Sequence, residues 1–169
     1  RQVVILGAGL DTRAARLGRD GARFFEVDQP ASQADKRVRL SRFEGYPIDA
    51  ATFVACDFEQ HDFVERLEAA GLDRAKPTCF VWEGVIYYLA EEAARATLRR
   101  LATEFAATSL LVFDFLNTKM ARSSPRLRPE DRGMKSIIEE LGEPMQFGID
   151  DATPLMSESG YRVLRTVSF

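Results

Sequence analysis

Four apolar runs of this chain each end on residues able to hold a polar ligand. Val3-Val4-Ile5-Leu6 leads into Gly7-Ala8-Gly9-Leu10-Asp11-Thr12. Glycines there let the backbone turn tightly and approach a ligand closely, and the start of a following helix offers free N–H groups. A plain strand-to-helix turn is the competing role. The run at 23–27 ends in Glu26-Val27-Asp28. Alternation puts Glu26 and Asp28 on one face, but only Asp28 lies at the tip, where a carboxylate can accept from both hydroxyls of a ribose held over the first turn. Its competing role is to cap the helix that starts at Pro30. The third run ends in Cys56-Asp57-Phe58, which suits an adenine: an acceptor for the amino group, a ring beside the base and an N–H for a ring nitrogen. Helix capping competes there too. The fourth ends in Trp82-Glu83-Gly84. A carboxylate at the centre of a sheet edge is costly without a partner, and a ligand ammonium would serve.

Three carboxylates and one glycine turn at four run ends imply a ligand with hydroxyls, an adenine and a cationic amino group. S-adenosylmethionine carries all three, and its sulfonium adds a positive centre.

These residues converge only if the runs are parallel strands of one sheet. The pattern predicts strands at 3–6, 23–27, 52–56, 78–82 and 109–115, separated by helices at 12–17, 30–43, 63–70 and 91–105. Proline in the first turn suits the second helix, and Gly71 suits the end of the third. Ala94, Leu98, Leu101 and Phe105 recur three or four apart and predict one buried stripe. The fifth run is apolar almost throughout, which predicts cover on both faces. Beyond it, 117–133 reads as a polar loop or lid, 136–141 as a helix, 145–149 as a sixth strand, 151–159 as a short helix and 161–168 as a final strand. Strand–helix alternation of this kind predicts a doubly wound α/β fold, in which ligands bind outside the carboxyl ends of the strands. The 169 residues fit one domain spanning 1–169.

The net charge of -3, from 23 basic and 26 acidic side chains, argues against a nucleic-acid partner. No apolar stretch reaches the roughly 20 residues that span a bilayer. Cys56 and Cys79 lie far apart in apolar runs, without metal-ligand spacing, and are expected to be buried reduced thiols. A cytoplasmic location is expected. The chain opens directly on its first strand, with no helix or cap ahead of it, which is expected of a fragment or of a mature chain that lacks an N-terminal segment.

The stretch Val4-Ile5-Leu6-Gly7-Ala8-Gly9-Leu10-Asp11-Thr12-Arg13 resembles the opening motif of the leucine carboxyl methyltransferase family. Phe25-Glu26-Val27-Asp28-Gln29-Pro30 resembles its second motif, and Trp82-Glu83-Gly84-Val85-Ile86-Tyr87-Tyr88-Leu89 its fourth. The resemblance covers the first 116 residues. It implies a Rossmann-like seven-stranded methyltransferase fold, mostly parallel with an antiparallel last strand. It also implies S-adenosylmethionine as cofactor, with Gly7, Ala8, Gly9, Asp28, Gln29, Asp57, Phe58 and Glu83 around it and Glu83 on the methionine amino group. The family carries an N-terminal helical segment with a basic residue facing the cofactor carboxylate.

The expected reaction is methyl transfer to an oxygen of a small molecule or peptide end. A carboxylate acceptor is already ionised at neutral pH, so no general base is named, and catalysis would be mostly alignment. Tyr87 and Tyr88 are candidates to line the acceptor site, against interior packing with a satisfied hydroxyl. His61, the single histidine, reads as solvated. Arg122, Arg126, Arg128 and Arg132 read as a solvated loop in preference to an anion site. One alternative is a nicotinamide-dependent oxidoreductase, which would want a third glycine where Thr12 stands. Another is a relative that binds cofactor without catalysis. The acceptor and the oligomeric state are not written in the sequence.

Overall fold

The computed structural model describes residues 1–18, 21–58, 60–121 and 145–168. Its centre is a five-stranded, all-parallel sheet in the order β3-β2-β1-β4-β5. The strands are β1 (Gln2–Leu6), β2 (Arg23–Asp28), β3 (Ala51–Ala55), β4 (Thr78–Trp82) and β5 (Leu110–Phe113). The helices are α1 (Arg13–Leu17), α2 (Pro30–Leu40), α3 (Phe63–Ala69), α4 (Glu91–Thr103), α5 (Thr118–Ala121) and α6 (Ala152–Glu158). Backbone contacts divide the chain into two compact units, 1–83 with 104–113 and 84–103 with 114–169.

The first unit holds the sheet. Its strand order reverses after β1: the chain steps outward through β2 to β3, then returns to the other side of β1 for β4. Right-handed crossovers place the connections before and after that reversal on opposite faces, and the reversal makes the crevice in which such folds bind ligands. Val4, Leu6, Phe25, Val27, Phe80 and Trp82, from the three central strands, are buried, as expected for parallel strands covered on both sides. Register aligns the strand ends: Leu6 lies beside Val27, Asp28 beside Ala55, and Ile5 beside Val81. The residues that follow each strand therefore emerge along one edge. At the opposite edge Gln2 donates to Thr78 Oγ1 at 3.0 Å and to the Asp73 carbonyl at 2.9 Å, fixing β1 against the entry to β4.

Local signals explain the helix limits. Asp62 caps α3 by accepting from the Val64 and Glu65 amides. Gly71, at φ +90°, ends it: its amide donates to the Glu68 carbonyl and that of Leu72 to Leu67, the paired bonds of a left-handed glycine cap. Helix α2 stops at Leu40, short of the expected 43, because the chain enters successive turns there.

In the second unit, α6 is capped by Asp151 and ended at Gly160 by the same paired bonds as α3. The Tyr161 hydroxyl donates to the Leu98 carbonyl of α4. The segment expected as a sixth strand, 145–149, belongs to no strand; the amides of Gln146 and Phe147 go to the Tyr87 carbonyl and that of Ile149 to Leu116. Residues 161–168 belong to no strand either, and Val163, Leu164 and Val167 are exposed. The buried stripe holds, with Ala94, Leu98, Leu101 and Phe105 all buried. Full cover of β5 does not: Leu110 and Val112 are half exposed. Among the described residues β5 ends the sheet, and the face carrying those two side chains has incomplete cover. The expected helix at 136–141 and most of the expected loop lie outside the described residues, apart from α5 at its start.

Candidate functional site

Every residue expected around the cofactor lies in the first unit. The Gly7 amide donates to the Val27 carbonyl at 2.8 Å and the Ala8 amide to the same oxygen at 3.1 Å, so the turn is tied to the end of β2. Gly7 and Gly9 sit at φ +67° and +42°, backbone that other residues adopt at a cost. The Gly9 amide donates to Asp28 Oδ2 at 2.5 Å, and Asp28 Oδ1 accepts from the Gln29 amide at 2.7 Å. Asp28 therefore holds the glycine turn. The helix cap of α2 falls on Gln29, whose side chain makes no capping bond. A Cβ built on Gly9 would meet nothing within 4 Å. A half-buried carboxylate thus borders open space lined by bare backbone, which fits the hydroxylated part of a nucleoside.

The end of β3 is tied to β2 by the Cys56 amide on the Asp28 carbonyl. Asp57 does not cap α3, since Asp62 does. Its Oδ2 accepts from Gln60 Nε2 at 2.9 Å, and its amide donates to His61 Nδ1 at 3.0 Å. His61 is thus partly buried and folded onto the loop, not free in solvent as expected. With Nδ1 accepting, the assigned tautomer carries its proton on Nε2. The Phe58 ring lies 5.9 Å from that of Phe63, tilted by 53°.

Glu83 is exposed, and it has a partner within the chain: the Arg13 guanidinium donates to its Oε2. Arg13 also lies 3.2 Å from Asp11 Oδ2, and its own amide donates to Asp11 Oδ1 at 2.6 Å. The bond to Glu83 is the main reason the Arg13 pKa is held above its ordinary value, with burial opposing it and the Asp11 and Glu83 charges helping.

A second ion pair lies behind the site. Lys36 Nζ donates to Glu26 Oε2 at 2.7 Å and to the Asp11 carbonyl at 2.5 Å, with both side chains buried. Burial pushes the Glu26 carboxyl above its ordinary value, while the bond from Lys36 pulls it back. One ammonium therefore ties β2 to the loop between β1 and α1. Sequence reasoning missed Lys36 and gave Arg13 no role of its own. The available signal was Glu26 itself, a charge inside the run Phe24-Phe25-Glu26-Val27, which must be paired to be buried there.

In the second unit, Tyr87 and Tyr88 occupy a 3-10 turn (Ile86–Tyr88), with ring centroids 4.7 Å apart. Both are half-buried. Burial, with Asp114 and Tyr88 helping, pushes the Tyr87 hydroxyl up to about 12, so it is neutral at physiological pH and able to donate. Asp114 Oδ1 accepts from the Gly84 amide at 2.8 Å. Arg122, Arg126, Arg128 and Arg132 lie outside the described residues. Among the described residues no cluster of side chains could hold a metal, and no helix is long and apolar enough to cross a membrane.

The family model described as "Leucine carboxyl methyltransferase" matches residues 1–102. A relative from Mycobacterium sp. (strain JLS) is 37% identical over 149 residues, covering 82% of this chain and 48% of the relative. Another, from Streptomyces coelicolor, is 40% identical over 110 residues, covering 64% and 38%. Both relatives are named as putative S-adenosyl-L-methionine-dependent methyltransferases. The chain spans about half the length of the first of these and less of the second. Among solved structures, the mitomycin 7-O-methyltransferase MmcR aligns with a TM-score of 0.63 at 18% identity, covering 97% of this chain and 44% of that one. The glycopeptide N-methyltransferase MtfA, in complex with S-adenosyl-L-methionine, aligns at 0.50 and 18%, covering 75% and 52%. These likenesses show the α/β methyltransferase fold. With its glycine turn, its strand-end carboxylates and a family match over residues 1–102, the chain belongs to the leucine carboxyl methyltransferase family.

Proposed function

We propose that the protein is an S-adenosylmethionine-dependent O-methyltransferase acting on a carboxylate or hydroxyl of a small molecule or peptide end. The observation that carries the reading is Asp28: its carboxylate closes on the Gly9 amide beside open space at the sheet's reversal point. In this reading Asp28 and Gln29 hold the ribose over the turn of Gly7, Ala8 and Gly9. Asp57 and Phe58 hold the adenine, and Glu83 takes the methionine ammonium. The bound cofactor supplies an electrophilic methyl on its sulfonium. The chain's part is to align an acceptor oxygen and exclude water. Tyr87 and Tyr88 are the proposed acceptor contacts, and a hydroxyl that stays protonated to about 12 suits a donor, not a base.

Both units are read as parts of one methyltransferase domain, located in the cytoplasm and acting without a nucleic-acid or membrane partner. The seven-stranded form with an antiparallel last strand is proposed for the whole protein. Its support is the β-favouring character of Tyr161, Val163, Thr166 and Val167.

The test is transfer of a labelled methyl group from S-adenosylmethionine to a panel of carboxylic acids and phenols. Label released by mild base marks a methyl ester, and base-stable label marks an ether. Transfer to neither, with saturable cofactor binding, would favour a cofactor-binding relative without catalysis.

A further inference from the structure

Two side chains of opposite hydrogen-bonding character meet at Gly84. Strands β4 and β5 run side by side with Trp82 paired to Phe113, so the residues that follow them emerge together. Asp114 comes directly after β5, and its Oδ1 accepts from the Gly84 amide at 2.8 Å. The Tyr87 hydroxyl stands 3.8 Å from the place a Cβ on Gly84 would take. All three residues belong to the second unit. Gly84 and Asp114 are exposed and Tyr87 is half-buried, so their meeting point is open to a ligand. The backbone of the tyrosine turn is pinned: the amides of Gln146 and Phe147 donate to the Tyr87 carbonyl at 2.7 and 3.2 Å, and Gln146 Nε2 donates to that of Tyr88 at 2.9 Å. The Asp114 charge adds to burial in keeping the Tyr87 proton in place up to about 12. Tyr87 is thus a donor and Asp114 an acceptor. A hydroxyl answers both, since its oxygen accepts and its proton is donated. A carboxylate only accepts, and it would face the like charge of Asp114.

We propose that the methyl acceptor is a hydroxyl, its oxygen held by Tyr87 and its proton taken by Asp114, which is then a catalytic residue. This rests on the methyltransferase reading above and narrows its acceptor. A phenol titrates near about 10, and an alcohol higher still, so at neutral pH the proton must leave as the oxygen attacks. The acceptor's bond from oxygen to methyl forms while the bond from methyl to sulfur breaks, its electron pair going to sulfur. The hydroxyl proton passes to Asp114 Oδ2, the oxygen that Gly84 does not hold. The products are a methyl ether, a neutral thioether and a protonated Asp114, whose exposure lets it return the proton to solvent. The Gly84 amide keeps the carboxylate in one orientation, and a base so positioned contributes about 10²–10⁴-fold.

The experiment uses Asp114→Asn, whose amide oxygen can still accept from Gly84 but whose side chain takes no proton. Cofactor affinity is measured by calorimetry. Labelled methyl transfer is measured to phenol, to 4-nitrophenol at a pH that ionises it, and to benzoate. The unaltered chain should methylate phenol in preference to benzoate and yield base-stable label. Asp114→Asn should slow transfer to phenol by about a hundredfold or more while cofactor affinity stays within about twofold. Transfer to ionised 4-nitrophenol, which has no proton to give, should fall by less than about threefold. Equal losses on the two phenols would reduce Asp114 to a holder of Gly84, and base-labile label on benzoate as the main product would make the acceptor a carboxylate. Either result overturns this inference and leaves the methyltransferase reading standing. Transfer to none of the three, or no cofactor binding, would overturn both.

Discussion

Lys36 and Glu26 form a buried ion pair 2.7 Å long directly behind the glycine turn, and the same ammonium holds the Asp11 carbonyl at 2.5 Å. The pair joins α2, β2 and the turn, and so sets the platform on which Asp28 and Arg13 stand.

Removing one member of such a pair strands the other. Lys36→Met leaves a buried carboxylate uncompensated and should cost about 3–5 kcal/mol in urea unfolding. Adding Glu26→Leu removes that charge and should recover part of the loss. What remains is the orphaned Asp11 carbonyl, worth roughly 1–3 kcal/mol. A single-variant cost below about 1 kcal/mol would contradict a load on this pair.

Gly9→Ala separates folding from binding. At φ +42° an alanine is strained, at about 1–2 kcal/mol, but its Cβ meets no neighbour in the fold. The same methyl would project into the space assigned to the nucleoside. Unfolding should show the small loss, while affinity for S-adenosylmethionine falls by about tenfold or more, since the methyl displaces the ligand from Asp28. Unchanged affinity beside reduced stability would place the ligand elsewhere.

Burial pushes the Cys56 thiol from its ordinary value of 9.0 to about 11, against a smaller lowering by Arg66. The folded state therefore favours the neutral thiol. Its contribution is complete below pH 9, where both states are protonated, and is lost as the unfolded chain ionises between 9.0 and about 11. The span corresponds to roughly 2–3 kcal/mol. Urea midpoints measured at pH 8 and pH 11 should fall further in the unaltered chain than in Cys56→Ala. Equal falls would show that this thiol is not buried as described. Cys79 is half-buried where full burial was expected, and its thiol shifts the same way, also by burial, so both thiols should react slowly with disulfide reagents at pH 8 until the chain unfolds, Cys56 the more slowly.

The alternation of strands and helices was legible because local signals carried it. The run 3–6 is continuously apolar, Gly71 stops a helix, and Asp28 stands at the right distance behind a glycine turn. What was not legible depends on register. Lys36 meets Glu26 because α2 folds back over β2, and Arg13 meets Glu83 because β4 lies beside β1. No window of sequence holds both members of the second pair. Asp57 and Asp62 show the other limit. Both precede α3, either could cap it, and only the structure assigns that task to Asp62, leaving Asp57 for the loop. The apolar character of β5 likewise did not reveal that one of its faces is half exposed, since cover comes from elements distant in the chain.

The central claim is that Asp28 and the turn of Gly7 to Gly9 hold S-adenosylmethionine. Calorimetric titration of the chain with that cofactor tests it most directly, with NADH in parallel and Asp28→Ala as the site control. The account predicts saturable binding of S-adenosylmethionine alone, weakened in Asp28→Ala by about tenfold or more, the worth of hydrogen bonds to a charged group. Binding of NADH in its place, or cofactor binding that Asp28→Ala leaves unchanged, would contradict it.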